Sequence, residues 1–165
     1  MIRSGSLHAL LIVTLLSTLL LIPATVVSAD THEQDEARIG YRQKVMSTIG
    51  TNMGAISDIL KNRLDVPGAV ANHANQMAEA AALIAPAFKK PLTEGATDSK
   101  PEIWSDWAKF EVAIADYEAA ARALAEAANG SDPGAVGTAM RGLGKSCGGC
   151  HKPFRKPKEE SYKNK

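Results

Sequence analysis

The chain has 165 residues, with 19 Lys and Arg against 18 Asp and Glu and two cysteines. That length suits one domain. The near-neutral balance, without a basic stripe, excludes nucleic acid as a partner.

The first stretch reads as an export leader. Arg3 supplies a positive start, Leu10 to Ile22 an apolar run, and Val27-Ser28-Ala29 small residues before a cut between Ala29 and Asp30. Thr14, Ser17 and Pro23 interrupt the apolar run, which is short for a membrane span. A cleaved signal peptide over 1–29, a folded chain over 30–165 and no stable membrane anchor are expected. Loss of Arg3 makes basic and acidic residues equal in number.

Alanine is abundant in the remainder, and no stretch alternates with period two, so the pattern is helical throughout. The first helix is predicted from about Gln34 to Lys61. Ile39, Arg42, Met46, Ile49, Met53, Ile56 and Leu60 step by three and four along it. Arg42 is the polar exception. A guanidinium buried there needs a partner, for which an anion is the obvious choice; otherwise it snorkels to water from near the helix start.

The second helix is predicted from about Gly68 to Phe88, with Val70, His73, Met77, Ala80, Ala81, Ile84 and Phe88 on one face. His73 is a weak candidate for a ligand, since a lone histidine on such a face is more often a packing residue. Pro91, Gly95 and Pro101 mark residues 89–102 as a connection that is long for a bundle.

The third helix is predicted from Pro101 to Ala128, with Ile103, Trp107, Phe110, Ile114, Tyr117, Ala121 and Leu124 inward. Trp104 and Trp107 either wall a cofactor pocket or pack the core. Asn129-Gly130 stops this helix. The fourth is predicted from Pro133 to Arg155, capped by Asp132 or Ser131. Its inner stripe is Val136, Met140, Leu143, Cys147, Cys150 and Phe154. The tail from Lys156 onward is polar and expected to fray. Four such helices give an all-α, antiparallel up-down-up-down four-helix bundle.

Cys147-Gly148-Gly149-Cys150-His151 is the most specific feature of the chain. C-x-x-C-H is the signature of covalent haem attachment. The two thiols, three residues apart on a helix, add to two vinyl groups, and the adjacent histidine binds iron. The competing readings are weaker. Zinc usually takes four N or S ligands, a thiol oxidoreductase wants a βαβ context, and a disulfide closing so short a loop stabilises little. Gly142, Gly144, Gly148 and Gly149 each cost the helix about 1 kcal/mol against Ala, which close approach to a flat porphyrin would offset. One covalent haem c is therefore expected, and a haem propionate becomes the candidate anion for Arg42. Attachment of this kind takes place outside the cytoplasm, which agrees with the leader and points to the periplasm.

With this motif near its C-terminal end, the chain resembles the class II cytochromes c, the cytochrome c-prime family and its low-spin relatives. Tyr41-Arg42-Gln43 with Met46, Lys100-Pro101-Glu102-Ile103-Trp104-Ser105-Asp106, and Lys145-Ser146 through His151 with Phe154-Arg155 carry the resemblance. It implies thioethers at Cys147 and Cys150, His151 as proximal ligand, and Arg42 and Gln43 on the propionates. It also implies Arg155 near the proximal face, and a homodimer through the first two helices. Met46 falls on the distal position, where the family divides. Sulfur ligation there makes an electron carrier serving redox partner proteins, which is the main expectation. An open sixth site binding nitric oxide or carbon monoxide is the alternative. No nucleophile–base pair or acid pair stands out, so an enzyme is not expected.

Overall fold

A computed structural model describes residues 25–130 and 132–164. Most of the leader expected over 1–29 lies outside the described residues. Among the described residues six α-helices follow in order: α1 Thr25–Asn62, α2 Ala69–Ala80, α3 Ile84–Phe88, α4 Glu102–Ser105, α5 Trp107–Asn129 and α6 Pro133–Phe154. Among the described residues there is no strand, only an isolated antiparallel bridge between Ser99 and Arg155. None of the described helices is long and apolar enough to cross a membrane.

The four predicted segments are present, with two interrupted. The second is α2 and α3 separated by a 3₁₀ turn over Ala81–Leu83, just ahead of Pro86. The third breaks at Asp106, whose non-helical backbone (φ −132°, ψ 58°) ends α4. The same residue caps α5, its Oδ1 accepting from the Lys109 N–H at 3.3 Å. Asp132 caps α6 through the Gly134 N–H at 2.8 Å, with Pro133 in the first turn. Gly130 closes α5 with its N–H on the Glu126 and Ala127 carbonyls.

Helix α1 packs on α2, α2 on α5, and α5 on α6, while the backbones of α6 and α1 hardly approach each other. Three seams of the bundle are thus closed by the chain's own packing and the fourth is not. The core runs through Val45, Ile56, Met77, Ile84, Ile103, Phe110, Tyr117, Leu124, Leu143 and Phe154. Phe110 is its aromatic hub, edge-on to Phe88 and Phe154 with centroids 5.3 and 5.1 Å away. The Tyr117 hydroxyl, buried there, donates to the Met77 carbonyl at 3.1 Å.

The buried face of α1 is Ile39, Arg42, Val45, Ile49, Asn52 and Ile56. It shares Ile39, Arg42, Ile49 and Ile56 with the predicted stripe and departs from it at two inner positions. Val45 and Asn52 take the core places, Met46 and Met53 are half-buried beside it, and Leu60 is exposed. Asn52 is tolerated in the core because its Oδ1 is 2.7 Å from His73 Nδ1 on α2. His73 is thereby committed to the α1–α2 contact.

The tail does not fray. Lys158–Glu160 and Tyr162–Asn164 form 3₁₀ turns. The chain around them docks on residues 97–100 of the long connection. The Lys156 N–H donates to the Asp98 carbonyl at 2.8 Å, and the Lys100 N–H donates to the Phe154 carbonyl at 3.0 Å. Ser161 is buried, its hydroxyl donating to Asp98 Oδ2 at 3.0 Å.

Candidate functional site

Helix α6 carries the C-x-x-C-H residues along its last turns. Leu143 and Phe154 are buried in the core, whereas Met140, Cys147 and Cys150 lie half-buried at its edge. On α1, Met46 and Met53, two turns apart, are half-buried and packed at the edge of the same core. These edges belong to the two helices whose backbones stay apart. A Cβ added at Gly142, Gly144, Gly148 or Gly149 would meet no neighbouring atom within 4 Å. The chain's own packing therefore calls for glycine at none of these four positions, of which Gly142, Gly144 and Gly149 are exposed.

Both cysteines are free thiols. Burial pushes the Cys147 thiol up, and burial with the neighbouring Cys147 pushes Cys150 up to about 11. A redox-active CxxC pair depends on a lowered thiol pKa, so the direction here is wrong for an oxidoreductase and harmless for a thioether. His151 is solvent-exposed as a residue, but atoms packed about its ring, and then the Arg155 charge one turn on, hold its pKa below the usual histidine value. The neutral imidazole, the form that binds metal, is thus favoured. Among the described residues no three His, Cys, Asp or Glu side chains converge as a metal-ion site, which leaves the zinc reading without a ligand set. Two uncommitted thiols, a neutral histidine beside them and an unclosed seam fit a flat, covalently tethered haem.

Arg42 is 3 % exposed, so it does not snorkel. The partners it has in the structure are carbonyls rather than a carboxylate. Nε donates to Ala87 at 2.9 Å, Nη1 to Leu92 at 3.0 Å and Nη2 to Lys90. Its guanidinium lies 5.1 Å from the ring centroids of both Phe88 and Trp104. It thereby closes the C-terminal end of α3 through Ala87, a carbonyl that the helix leaves without an N–H partner, and holds the connection beyond it through Lys90 and Leu92. Burial, then Arg38, lower its pKa from the ordinary value while Asp35 opposes them; an arginine remains charged throughout. Gln43 is exposed, and its Nε2 donates to the Ala96 carbonyl at 2.6 Å. Trp104 donates its indole N–H to the Phe88 carbonyl at 2.7 Å. Trp107 is half-buried against Phe110, with centroids 5.5 Å apart.

Residues 89–100 thus form a strap between the two separated helices. Arg42, Gln43 and the Lys90–Asp35 ion pair hold it to α1. Gly95, at φ 80°, turns it close over Ile39. The Ser99–Arg155 bridge and the Asp98 contacts hold it to the end of α6. The sequence shows the length of this connection but not Asp98, which sits in it without periodic or motif context.

A family model described as Cytochrome C' matches residues 37–155. The chain belongs to the cytochrome c′ family. A cytochrome c′ of Rhodospirillum rubrum is 37% identical over 120 residues, covering 72% of this chain and 82% of that protein. A cytochrome c-556 of Rhodopseudomonas palustris is 30% identical over 149 residues, covering 86% and 97%. Among solved structures, a nitric oxide complex of a cytochrome c prime variant from Alcaligenes xylosoxidans superposes with a TM-score of 0.67. Its identity is 29%, over 74% of this chain and 97% of that one. Members of the cytochrome c′ family carry a covalently attached haem c, and the four-helix bundle is theirs.

Proposed function

We propose that the mature protein, residues 30–165 after cleavage at Ala29, is a periplasmic haem protein that binds nitric oxide or carbon monoxide at iron held by His151. The observation that carries this reading is the nitric oxide complex of a structural neighbour that spans 74% of the chain. It favours the alternative over the expected His/Met electron carrier. Cys147 and Cys150 tether the haem, and His151 takes its proximal side. Met46 serves as an apolar distal wall, a role suited to an adaptable side chain. Arg42 has five N–H donors, of which three carbonyls engage three; the remainder can meet a propionate. Gln43 and Arg155 stand at the two ends of the strap, one toward each helix. When bound, the haem supplies an iron that changes charge by one electron and offers an axial position to a small ligand.

The electron-carrier reading is kept for one reason. Met46 and Met53 lie at the half-buried edge of α1 rather than inside its core face, so their thioethers are not fully enclosed by the chain's own packing. In either role the protein carries electrons or captures a small gas at its haem. A homodimer through the first two helices belongs to the same proposal, with Tyr41 and Leu60 exposed on α1 and Leu83 exposed in the turn after α2.

The ferrous optical spectrum separates the two roles. The gas-binding reading expects a broad high-spin spectrum and carbon monoxide uptake by the parent protein, with Met46→Ala changing the association rate by roughly tenfold or less. A sharp split α/β pair, and carbon monoxide uptake only after Met46→Ala, would replace it with the electron carrier.

A further inference from the structure

Helix α6 ends close to His151, the iron ligand of the proposed function. Pro153 lacks the N–H that would continue the helix, and Arg155 is extended at φ −118° and ψ 140°. His151 therefore sits in the final turn, where helices fray unless their ends are held. Here the end is held, and the residue that does most of the holding is Asp98.

Asp98 engages this end through both backbone and side chain. Its carbonyl takes the Lys156 N–H at 2.8 Å. Its Oδ2 accepts from the Ser161 hydroxyl at 3.0 Å and from Arg155 Nη2 at 3.4 Å, and its Oδ1 accepts from the Tyr162 N–H at 3.0 Å. The carboxylate is only 9 % exposed. Burial alone would raise its pKa, but the bonds from Tyr162, Ser161 and Arg155 outweigh burial and leave it below the ordinary aspartate value. The Arg155 N–H in turn closes the last turn of α6 on the His151 carbonyl at 3.0 Å.

We propose that Asp98 is a positioning residue for His151, its carboxylate fixing Arg155 and the docked tail and so the helix end from which the proximal ligand projects. This rests on His151 as iron ligand. Asp98 belongs to the strap that is also tied to α1 through Gln43, so the end of α6 is referenced to the opposite wall of the seam. An unanchored last turn would present the imidazole over a range of tilts.

The iron–histidine stretch of the ferrous holoprotein, read by resonance Raman, reports that tilt directly. Asp98→Asn is expected to shift and broaden the band, and Asp98→Glu to bring it back toward the parent position. In an Arg155→Gln background, Asp98→Asn is expected to add less than half of its own shift, because the two side chains act in series. Tryptic cleavage after Lys158 is expected to rise about tenfold in Asp98→Asn, as its tail anchors are lost. A parent-like band in Asp98→Asn, even with a tail that is cut faster, makes Asp98 a tail anchor only and overturns the proposal. An undiminished shift in the Arg155→Gln background also overturns it. Should Asp98→Asn fail to accumulate as holoprotein, Arg155→Gln alone carries the test, and a parent-like band there is equally fatal. Haem content of each variant is measured as the pyridine haemochrome, so failure of the haem reading itself shows as missing haem rather than as an unmoved band.

Discussion

At the scale of single residues, the polar groups of this protein act as long-range ties. Arg42 joins α1 to carbonyls 45 to 50 residues away. Truncation to Ala would leave three carbonyls and two aromatic faces without their partner. Hydrogen bonds to charged groups contribute about 1.5–3 kcal/mol each, though not additively. Arg42→Ala is therefore expected to destabilise the protein by about 3–4 kcal/mol in denaturant unfolding. Arg42→Lys should recover little of this, because an ammonium cannot reproduce the planar fork or its stacking. Asp98 makes the corresponding pH prediction. Its folded pKa is depressed, so its contribution is complete above the unfolded aspartate value of about 4. That contribution is lost as pH falls through the folded value. Acid titration of stability should show a shallower loss over that window in Asp98→Asn than in the parent.

At the scale of elements, helix ends were the most readable features and also hold, among the described residues, the one non-glycine with positive φ. Asp132 and Gly130 do what their chemistry predicts. The end of α1 is different, because Arg63 adopts φ 52° in the left-handed region while the Leu64 N–H reaches back to the Ile59 carbonyl at 3.1 Å. That is a Schellman-type stop with arginine in the place usually held by glycine. A side chain there costs about 1–2 kcal/mol, and glycine forfeits part of the gain in the unfolded chain. Arg63→Gly should therefore stabilise by about 0.5–1 kcal/mol, visible as a rise in Tm of roughly 2–3 °C. The interruptions at Ala81–Leu83 and Asp106 had weaker sequence signals, since the apolar face continues through both.

At the scale of the whole molecule, the bundle has three seams where helix backbones pack closely and one, between α1 and α6, where they hardly approach and residues 89–100 tie the two helices together. Helices α2 and α5 are packed on both sides, whereas α1 and α6 each lack a neighbour on one. A protein kept haem-free by Cys147→Ser with Cys150→Ser should retain its helices. Its amide exchange should accelerate mainly in the Met46–Met53 stretch of α1 and in α6, with α2 and α5 little changed. Uniform acceleration along the chain would mean that haem stabilises the fold globally instead of closing one seam.

The sequence alone determined the helical class, the order of the four segments, the caps at Asp132 and Gly130 and the haem-attachment motif. Each of these depends on spacing within a few residues, where periodicity and covalent reach act directly. Tertiary structure alone decided that Arg42 is buried on carbonyls, that α1 turns Val45 and Asn52 inward, that His73 is paired with Asn52 and that the tail is clasped by Asp98. Those outcomes join positions some 20 to 65 residues apart, and no local pattern records which distant backbone a polar side chain will meet once the helices pack.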